Sequence, residues 1–504
     1  MPASTSRQIM RLLLPLLLVS GMALAQAPTQ RTPPPPAVPR EFRAVWAASV
    51  GNIDWPVQAG ASVAKHQADL RALLDMAVRV RLNVVILQVR PSADALYAST
   101  LEPWSEYLTG RMGQAPNPRW DPLQFACDEA HARGLELHAW INPFRARYFK
   151  TLSNPSSDHV VRRHPDWVLP YGNLLWLDPG NPAVREHVLQ VALDIVQRYD
   201  VDGFHLDDYF YPYPVRGPDG GWLNFPDVQS YGRYRREGGR MDQGDWRRDC
   251  VNKFVESLYS GIHRVKPWVK VGVSPFGIWR PGYPPGTKGL DQYLLLYSDS
   301  RLWLNQGWCD YFAPQLYWPS NYREQSFYGL VRWWEQENTR GRLLTPGLNS
   351  AKIGDDRRVG DILDQIRVAR SNGAEGEVFW NAASLQRNFG GLANLLPQDL
   401  FAQPALVPPT PWLKVATPEA PSIKEGPVSP TLLNLSWTLA TNAPTRTVVM
   451  HQRLGMQWRS EILPPTVHQL SLDRRRGQVI PEEVRLVPIS RAGVEGPPAI
   501  WPAP

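Results

Sequence analysis

The chain has 504 residues, of which 43% are hydrophobic and 20% are charged, and it carries a net charge of +7. This composition is typical of a globular protein, and the length fits a barrel of about 250–400 residues with an accessory domain. The positive charge forms no stripe, and the longest basic cluster, Arg474–Arg476, stands beside no binding motif. A nucleic-acid partner is therefore excluded.

Motifs for the common cofactors are also missing from the sequence. It contains no dinucleotide fingerprint, no Gly-x-Ser-x-Gly elbow and no Cys-x-x-Cys pair. Its His, Asp and Glu residues show no clear metal-ligand spacing, so we predict neither a cofactor nor a metal. Cys127, Cys250 and Cys309 match no metal pattern and are interpreted as buried thiols, or as one disulfide with a thiol left over.

The N-terminus has the pattern of a signal peptide over residues 1–25. Arg7 and Arg11 supply the positive region, Leu12–Ala23 the apolar run, and Ala23-Leu24-Ala25 a cleavage site. The apolar run is too short for a membrane span and no cysteine follows the cleavage site, so we expect no stable membrane anchor. The mature protein is expected to be secreted across the inner membrane, to the periplasm or the outside, and to begin with a Pro-rich tether at 26–39.

Between residues 42 and 382, short β-rich runs alternate with amphipathic helical stretches. The predicted strands are Phe42–Ser49, Leu82–Val89, Glu136–Asn142, Gly203–Phe210, Lys270–Phe276, Tyr311–Trp318, Leu344–Asn349 and Gly376–Asn381. The predicted helices are Val63–Arg81, Pro122–Arg133, Pro182–Tyr199, Asp245–Lys266, Glu324–Glu337 and Asp361–Asn372. Eight strands with helices between them indicate an α/β fold, a parallel (β/α)8 TIM-like barrel, which we place at residues 40–398.

The parity of the strand residues indicates where the functional site lies. Alternate residues of a barrel strand face the interior, and on the fourth strand His205 and Asp207 share one parity while Phe204 and Leu206 share the other. Polar residues fall near the C-terminal ends of the other strands on the same inward parity. Buried polar groups are costly unless they are hydrogen-bonded or used, so we predict a site at this face of the barrel.

The segment DGFHLDDYFYP at 202–212 puts two carboxylates at the end of the fourth strand. Glycosidic cleavage uses one carboxyl group as proton donor and a second as base or nucleophile. Asp207 faces inward by parity and is the first catalytic candidate. Asp208 is the second, because repulsion between adjacent carboxylates can raise one pKa and keep a proton available; it could instead orient substrate hydroxyls. The structural alternatives for the pair are a metal site and a helix start.

Other polar and aromatic residues follow the neighbouring strands. Glu106, on the loop after the second strand, is the third catalytic candidate. The predicted substrate-binding residues are Arg90, Asp94, His138, Asn142, Arg145, His205, Tyr209, Gln315, Tyr317 and Trp318. Each has a structural alternative: the charged residues could form salt bridges or caps within their loops, an inward histidine could be a satisfied core residue, and the aromatic rings could simply pack.

Several of these stretches, in the same order, resemble the family-10-like glycosyl hydrolases of bacterial envelopes. The resemblance covers residues 40–415 and lies in FRAVWAASVGNIDWP at 42–56, QVRPSADALYASTLEPWSEYLTG at 88–110, HAWINPFR at 138–145, DGFHLDDYFYP at 202–212 and PQLYWP at 314–319. It implies a glycoside hydrolase that acts on a cell-wall polysaccharide, namely peptidoglycan glycan strands without stem peptides. It also implies contact with cell-division or envelope proteins.

DGFHLDD is similar, in addition, to the strand-four motif of the alpha-amylase superfamily, which implies that Asp207 is a nucleophile. The strand-five glutamate of that superfamily has no counterpart in VGVSPFGIWR at 271–280. The second carboxylate and the stereochemical course therefore stay open. Two rival functions also stay open, a non-catalytic glycan-binding or divisome scaffold and a metal-dependent polysaccharide deacetylase.

After the barrel the composition becomes Pro-rich, which predicts a linker at 399–420. Short alternating runs then predict a small all-β immunoglobulin- or fibronectin-type sandwich at 421–504. Its predicted strands are Leu432–Thr438, Thr447–Gln452, Trp458–Leu463, His468–Leu472 and Glu483–Val487. We expect this accessory domain to space or dock the barrel, with direct glycan binding as the alternative.

Overall fold

The computed structural model describes residues 33–502 except 321, 428 and 430. The predicted signal peptide and the first part of the predicted tether lie outside these residues. Within the described residues, no helix is both long enough and apolar enough to cross a membrane. Cys127, Cys250 and Cys309 are all buried and form no disulfide with one another.

Eight parallel strands form a closed barrel. They are β1 Phe42–Ala47, β2 Val84–Arg90, β3 Glu136–Ile141, β4 Gly203–Leu206, β5 Lys270–Val273, β6 Tyr311–Phe312, β7 in two pieces, Leu343–Leu344 and Gly347–Asn349, and β8 Gly376–Trp380. The first piece of β7 pairs with β6 and the second with β8, so the sheet closes on itself. This architecture confirms the predicted TIM-like barrel.

The helices between the strands pack around the barrel. They are α1 Val63–Val80, α2 Pro122–Ala132, α3 Pro182–Arg198, α4 Gln243–Val265, α5 Ser300–Gln306, α6 Phe327–Glu337 and α7 Val359–Ser371. Further helices are Glu106–Thr109, Val160–Arg163, Val228–Arg236, Gln292–Leu295, Ala382–Gln386 and Leu392–Leu395. Side chains that accept a backbone hydrogen bond begin most of the long helices, for example Asp121 before α2 and Asn181 before α3.

The two faces of each barrel strand have different roles. On β3, Leu137, Ala139 and Ile141 pack outward in the main core beneath the helices, whereas Trp140 packs in the separate core inside the barrel. The barrel interior also has to hold large polar rings. Glycines make the space: a Cβ on Gly203 would collide with the ring of His138, and a Cβ on Gly272 would collide with the ring of Tyr311. Glycine on neighbouring strands therefore admits rings into the barrel centre.

A small antiparallel sheet that the sequence did not predict follows β3. Its strands are Arg145–Arg147, Val168–Tyr171 and Leu174–Leu177, in the order first, third, second. The last two strands form a hairpin whose turn contains Gly172 at φ +58°. The sheet covers one side of the barrel opening and fixes the loop that carries Arg145.

The C-terminal part forms two antiparallel sheets. The strands are β9 Ser422–Glu425, β10 Leu432–Thr438, β11 Thr445–Leu454, β12 Gln457–Leu463, β13 Gln469–Asp473, β14 Glu483–Ser490 and β15 Ala499–Trp501. Strands β9, β10 and β13 make one sheet, and β12, β11, β14 and β15 make the other. Apolar side chains of both sheets, including Trp437 and Met450, share one core, as expected for a sandwich. The sequence missed the edge strands β9 and β15.

The sandwich docks on the N-terminal ends of the barrel strands. Arg446 Nε lies 2.9 Å from Asp202 Oδ1, and Arg491 Nη2 lies 2.6 Å from Asp200 Oδ2. Lys270 Nζ donates to the carbonyl oxygen of Arg491 at 3.1 Å. Asp202 directly precedes β4 and Lys270 begins β5. The accessory domain therefore closes the end of the barrel opposite the predicted site.

Residues 33–39 lie against the same accessory domain. Trp458 Nε1 donates to the carbonyl oxygen of Pro33 at 2.8 Å, and Val38 packs against a small cluster that contains Val449 and Ile489. This part of the predicted tether is therefore docked along the sandwich.

Candidate active site

A cavity of about 260 Å³ opens at the C-terminal ends of the barrel strands. It is lined by Trp46, Val50, Ile53, Gln88, Trp140, Arg145, Tyr148, Asp207, Asp208, Tyr209, Ser274, Gln315, Tyr317, Asn349 and Trp380. Every barrel strand, or the loop directly after it, contributes to this lining. Active sites of TIM-barrel enzymes lie at this face, because eight loops converge there on a rigid scaffold.

Asp207 follows the last residue of β4 and is held by several donors. Trp140 Nε1 donates to its Oδ2 at 3.1 Å, and Asn142 Nδ2 lies 3.2 Å and 3.0 Å from Oδ1 and Oδ2. The backbone N–H of Tyr209 donates to Oδ1 at 3.3 Å. Burial raises the pKa of Asp207 above its ordinary value, although the Arg145 charge and these donors act in the opposite direction. The donors fix the orientation of this carboxylate at the cavity wall.

Asp208 has a different environment. Its carboxylate accepts a hydrogen bond from the hydroxyl of Tyr213 and lines the same cavity. Burial and the neighbouring negative charge of Asp207 raise the pKa of Asp208 to about 7. A carboxyl group with this pKa still carries its proton in a large fraction of molecules at neutral pH. Asp208 can therefore act as a general acid.

The cavity thus brings together the first two predicted catalytic carboxylates. One is fixed by N–H donors, and the other retains a proton near neutral pH. Pairs of carboxyl groups whose environments differ in this way divide the acid and base roles of glycosidic cleavage. The described residues contain no group of three or more His, Cys, Asp or Glu side chains that could hold a metal ion.

Arg145 places a positive charge on the cavity wall. Its backbone N–H donates to Asn142 Oδ1 at 2.9 Å, which connects it to the residue that holds Asp207. Its guanidinium lies 4.6 Å from the ring centre of Tyr209 and 5.3 Å from that of Tyr148. Cation–π contacts of this kind hold the guanidinium in place. The structure thus brings the predicted residues Arg145 and Tyr209 into the cavity.

Three indole rings form an aromatic box in the cavity. The ring centres of Trp46 and Trp380 are 6.3 Å apart, and those of Trp140 and Trp380 are 6.4 Å apart. The corresponding interplanar angles are 59° and 69°. Trp46 and Trp380 were absent from the predicted site. Their inward parity near the ends of the first and last strands was a signal that could have found them.

Beneath the cavity, a chain of hydrogen bonds fills the barrel. His205 Nε2 lies 3.1 Å from Trp46 Nε1 and 2.9 Å from Ser274 Oγ, and its Nδ1 lies 2.9 Å from the hydroxyl of Tyr311. The same hydroxyl lies 2.9 Å from His138 Nδ1. An indole N–H only donates, so His205 Nε2 must be an acceptor and Nδ1 must carry the proton. Burial lowers the pKa of both histidines, in keeping with neutral rings.

His138 and His205 were predicted to bind substrate, but the structure does not place them in the cavity lining. Both face the barrel interior, as their parity indicated, but they are fully buried below the cavity and are absent from its lining. Parity gives the direction of a side chain and not its depth. His205 supports Trp46 and Ser274, which do line the cavity, and His138 contacts Tyr311 and Glu136.

Three further predicted residues, at the end of β2 or on the loop after it, do not line the cavity. Glu106 accepts hydrogen bonds from the backbone of Leu152 and Ser153 at 3.0 Å and 2.6 Å and so ties two loops together. The structure does not bring Glu106 together with Asp207 and Asp208 in the cavity lining. Asp94 caps the backbone N–H of Ser92 at 2.9 Å.

Arg90 is likewise enclosed in protein. Its Nε and Nη2 donate to the two oxygens of Glu102 at 2.7 Å and 2.5 Å, and its Nη1 donates to the carbonyl oxygen of Asn142 at 2.5 Å. This buried pair orients the loop that carries Asn142. The contacts of Arg90 and Asp94 are those of the structural alternative, a salt bridge and a cap.

The remaining predicted residues divide in the same way. Gln315 and Tyr317 line the cavity, whereas Trp318 packs against Phe276 outside the cavity lining. Asn142 acts on the site through its contacts with Asp207. The strand-end parity thus found the cavity residues more reliably than the composition of the loops did.

Comparisons with known proteins identify the family of the chain. The Glycosyl hydrolase-like 10 family model matches residues 41–360. The glycosyl hydrolase YngK of Bacillus subtilis is 40% identical over 398 residues, 76% of this chain and 76% of its own. The glycosyl hydrolase DigH of Escherichia coli K12 is 35% identical over 384 residues, 68% of this chain and 84% of its own. Among solved structures, the PgaB (BpsB) glycoside hydrolase domain of Bordetella bronchiseptica is similar at a TM-score of 0.49 and 13% identity, over 71% of this chain and 98% of that domain. Because the family model covers more than half of the chain, the chain belongs to the glycosyl hydrolase-like 10 family, and the prediction of a glycoside hydrolase is confirmed.

Proposed function

We propose that this protein is an exported enzyme that hydrolyses the glycosidic bonds of peptidoglycan strands lacking stem peptides. Asp208 is the general acid, and Asp207 is the second catalytic carboxylate. Envelope or cell-division proteins are its expected partners.

The observation that carries this proposal is the pair of carboxylates in the cavity. Asp207 and Asp208 both line it, Asp207 is oriented by Trp140 and Asn142, and the pKa of Asp208 is about 7. Breaking a glycosidic bond requires a proton on the leaving oxygen and a negative group near the anomeric carbon. The pair supplies both from one cavity wall.

The exposed aromatic residues support a polymeric sugar as substrate. Among the described residues, five aromatic side chains are strongly exposed: Phe149, Trp222, Tyr283, Tyr322 and Tyr328. All five follow the C-terminal ends of β3, β4, β5 or β6, on the face that carries the cavity. Aromatic rings offer flat apolar faces with a polar edge, which suits stacking on sugar rings. Their spread around the opening supports a chain that extends beyond the cavity.

The choice of peptidoglycan is supported by the motif resemblance over residues 40–415 and by the pattern of a signal peptide over residues 1–25. Export would place the enzyme in the compartment that holds the cell wall. Strands without stem peptides fit an aromatic opening, because a bare glycan presents its sugar rings along its whole length.

The test is the release of reducing ends from purified peptide-free glycan strands. We expect wild-type protein to cleave them and Asp207→Asn to lose activity by at least about a thousandfold with the fold intact. The matched control is Asp158→Asn, which removes an exposed carboxylate from the loop after β3 and should leave activity unchanged. Failure of the wild-type protein to cleave these strands or any other polysaccharide would overturn the proposal.

The same samples separate the two rival functions. A glycan-binding scaffold would sediment with cell-wall sacculi, equally well as wild type or Asp207→Asn, and would form no product. A metal-dependent deacetylase would release acetate and would stop when a chelator is added.

A further inference from the structure

The two carboxylates of the cavity are consecutive residues on one strand end. Among the described residues that line the cavity, they are the only acidic side chains. Direct displacement uses two carboxyl groups that flank the scissile bond, about 5–5.5 Å apart for retention and about 6.5–9.5 Å apart for inversion. Asp207 and Asp208 are adjacent in the chain, so the lining offers no carboxylate to the side of the substrate that faces away from them.

The hydrogen bonds of Asp207 also argue against its attack on carbon. Trp140, Asn142 and the backbone N–H of Tyr209 already donate to its two oxygens at 3.0–3.3 Å. A carboxylate fixed in this way is well placed to accept one more N–H from a ligand. It is less suited to a nucleophile's approach to within bonding distance of the anomeric carbon.

The aromatic box lies directly beside Asp207. Trp140, which donates to Asp207, packs 6.4 Å from Trp380, and Trp46 packs 6.3 Å from Trp380. Rings at these steep angles enclose a small apolar space rather than one flat stacking platform. A ligand group with a methyl in this space and an N–H toward Asp207 is an acetamido group.

We infer that the nucleophile of the reaction is the 2-acetamido group of the substrate itself, held with its methyl among Trp46, Trp140 and Trp380 and its N–H on Asp207. The inference rests on the proposed function and deepens it, since it restricts the substrates to glycosides of 2-acetamido-2-deoxy sugars. Asp207 is then the residue that orients and stabilises the acetamido group.

The reaction balances in two steps. In the first, the acetamido oxygen forms a bond to the anomeric carbon while the bond from that carbon to the leaving oxygen breaks. Asp208 gives its proton to the leaving oxygen, and the Asp207 carboxylate stabilises the positive charge of the oxazolinium ring. In the second, water adds to the anomeric carbon and gives a proton to Asp208, and the ring opens to restore the acetamide. The product keeps the configuration of the substrate.

The test compares peptide-free glycan strands with the same strands after chemical N-deacetylation, with the full chain as enzyme. We expect kcat/KM to fall by more than about a hundredfold on the deacetylated strands and to recover after chemical re-acetylation, because the attacking oxygen is removed and then restored. A thiazoline analogue of the cyclised N-acetylglucosamine ring should inhibit competitively. Proton NMR of the first product should show retained configuration.

The outcomes distinguish the inference from the function on which it rests. Equal cleavage of acetylated and deacetylated strands, or inversion at the anomeric carbon, overturns the inference while the proposed hydrolysis stands. No cleavage of either kind of strand overturns both. Trp380→Phe is a second variant: we expect it to weaken the thiazoline more than it weakens an inhibitor of the same sugar without the acetamido-derived ring.

Discussion

The fourth barrel strand carries buried carboxylates at both ends, and the protein treats the two ends in opposite ways. At the N-terminal end, Asp202 lies 2.9 Å from Arg446 of the sandwich and 2.9 Å from His131, and its pKa lies well below its ordinary value. At the C-terminal end, Asp207 and Asp208 face a cavity, and their pKa values are raised by burial. Five residues of sequence separate a carboxylate in an ion pair from a carboxyl group whose pKa is about 7.

The difference shows what distinguishes a structural carboxylate from a functional one. Both ends are desolvated, and desolvation alone disfavours the charged form. Asp202 receives cations from the accessory domain, which compensate for the loss of water. Asp208 receives only neutral hydrogen-bond donors and has a negative neighbour, so it retains a proton that can be used. The sandwich therefore compensates the negative charge of Asp202 at one end of β4. The carboxyl group of Asp208 at the other end has no such cation and keeps a raised pKa.

The largest effect should come from Asp208→Asn, which removes the proton donor. We expect kcat/KM on glycan strands to fall by about 10²–10⁴, the usual contribution of a general acid. An aryl glycoside whose leaving group needs no proton should be cleaved at close to the wild-type rate, and the decline of wild-type kcat above about pH 7 should vanish. Equal losses on both substrates would assign the proton to another residue.

The next effect should come from Asp202→Asn, which leaves the buried Arg446 without its anionic partner. We expect the free energy of unfolding to fall by about 3–5 kcal/mol, measured by denaturant titration, with activity per folded molecule unchanged. The matched control is Asp200→Asn. Asp200 is half-exposed in its pair with Arg491, so its loss should cost under about 1 kcal/mol. Similar costs for the two variants would contradict a special role for the buried pair.

The smallest expected effect is on the pH dependence of stability, which should differ between Asp208 and Asp202 at the two ends of β4. The folded-state pKa of Asp208 is raised to about 7, so its contribution to stability is complete below about pH 4 and is lost as the pH rises to about 7. The pKa of Asp202 is lowered, so its contribution is present above about pH 4 and is lost in acid.

Thermal melts at pH 4, 6 and 8 measure this difference. Relative to wild type, Asp208→Asn should gain stability as the pH rises. The cost of Asp202→Asn should stay constant from pH 8 to pH 4, because its contribution is lost only below about pH 4. If the melting temperatures of the two variants changed with pH in the same way, the predicted difference between Asp202 and Asp208 would be contradicted.

Much of the barrel could be predicted because its signals are local. Runs such as VVILQVR of β2 are apolar on both faces, as buried parallel strands are, and capping residues such as Asp121 begin the helices. The helix α5 was missed because SRLWLNQ is only seven residues long, too short for a periodic pattern. The strand β4 ends at Leu206 rather than Phe210, since its pairing with β3 and β5 stops there.

The site was predictable only where strand parity governed it. Parity placed Asp207, Trp140 and Gln315 on the inner face, and the structure has all three in the cavity. It could not give depth, which is why the two histidines were misplaced. Loop residues such as Glu106 were beyond such reasoning, because their contacts depend on another loop, at Leu152 and Ser153, that no local pattern positions.

The docking of residues 33–39 on the sandwich fixes the direction in which the molecule faces. Pro33 is held by Trp458, on the accessory domain that covers the base of the barrel. The chain before Pro33 therefore enters the described structure at the end of the barrel remote from the cavity. If the protein were attached to a surface through this segment, the cavity would face away from that surface. A long, stiff polymer would then reach the cavity without a steric clash with the surface.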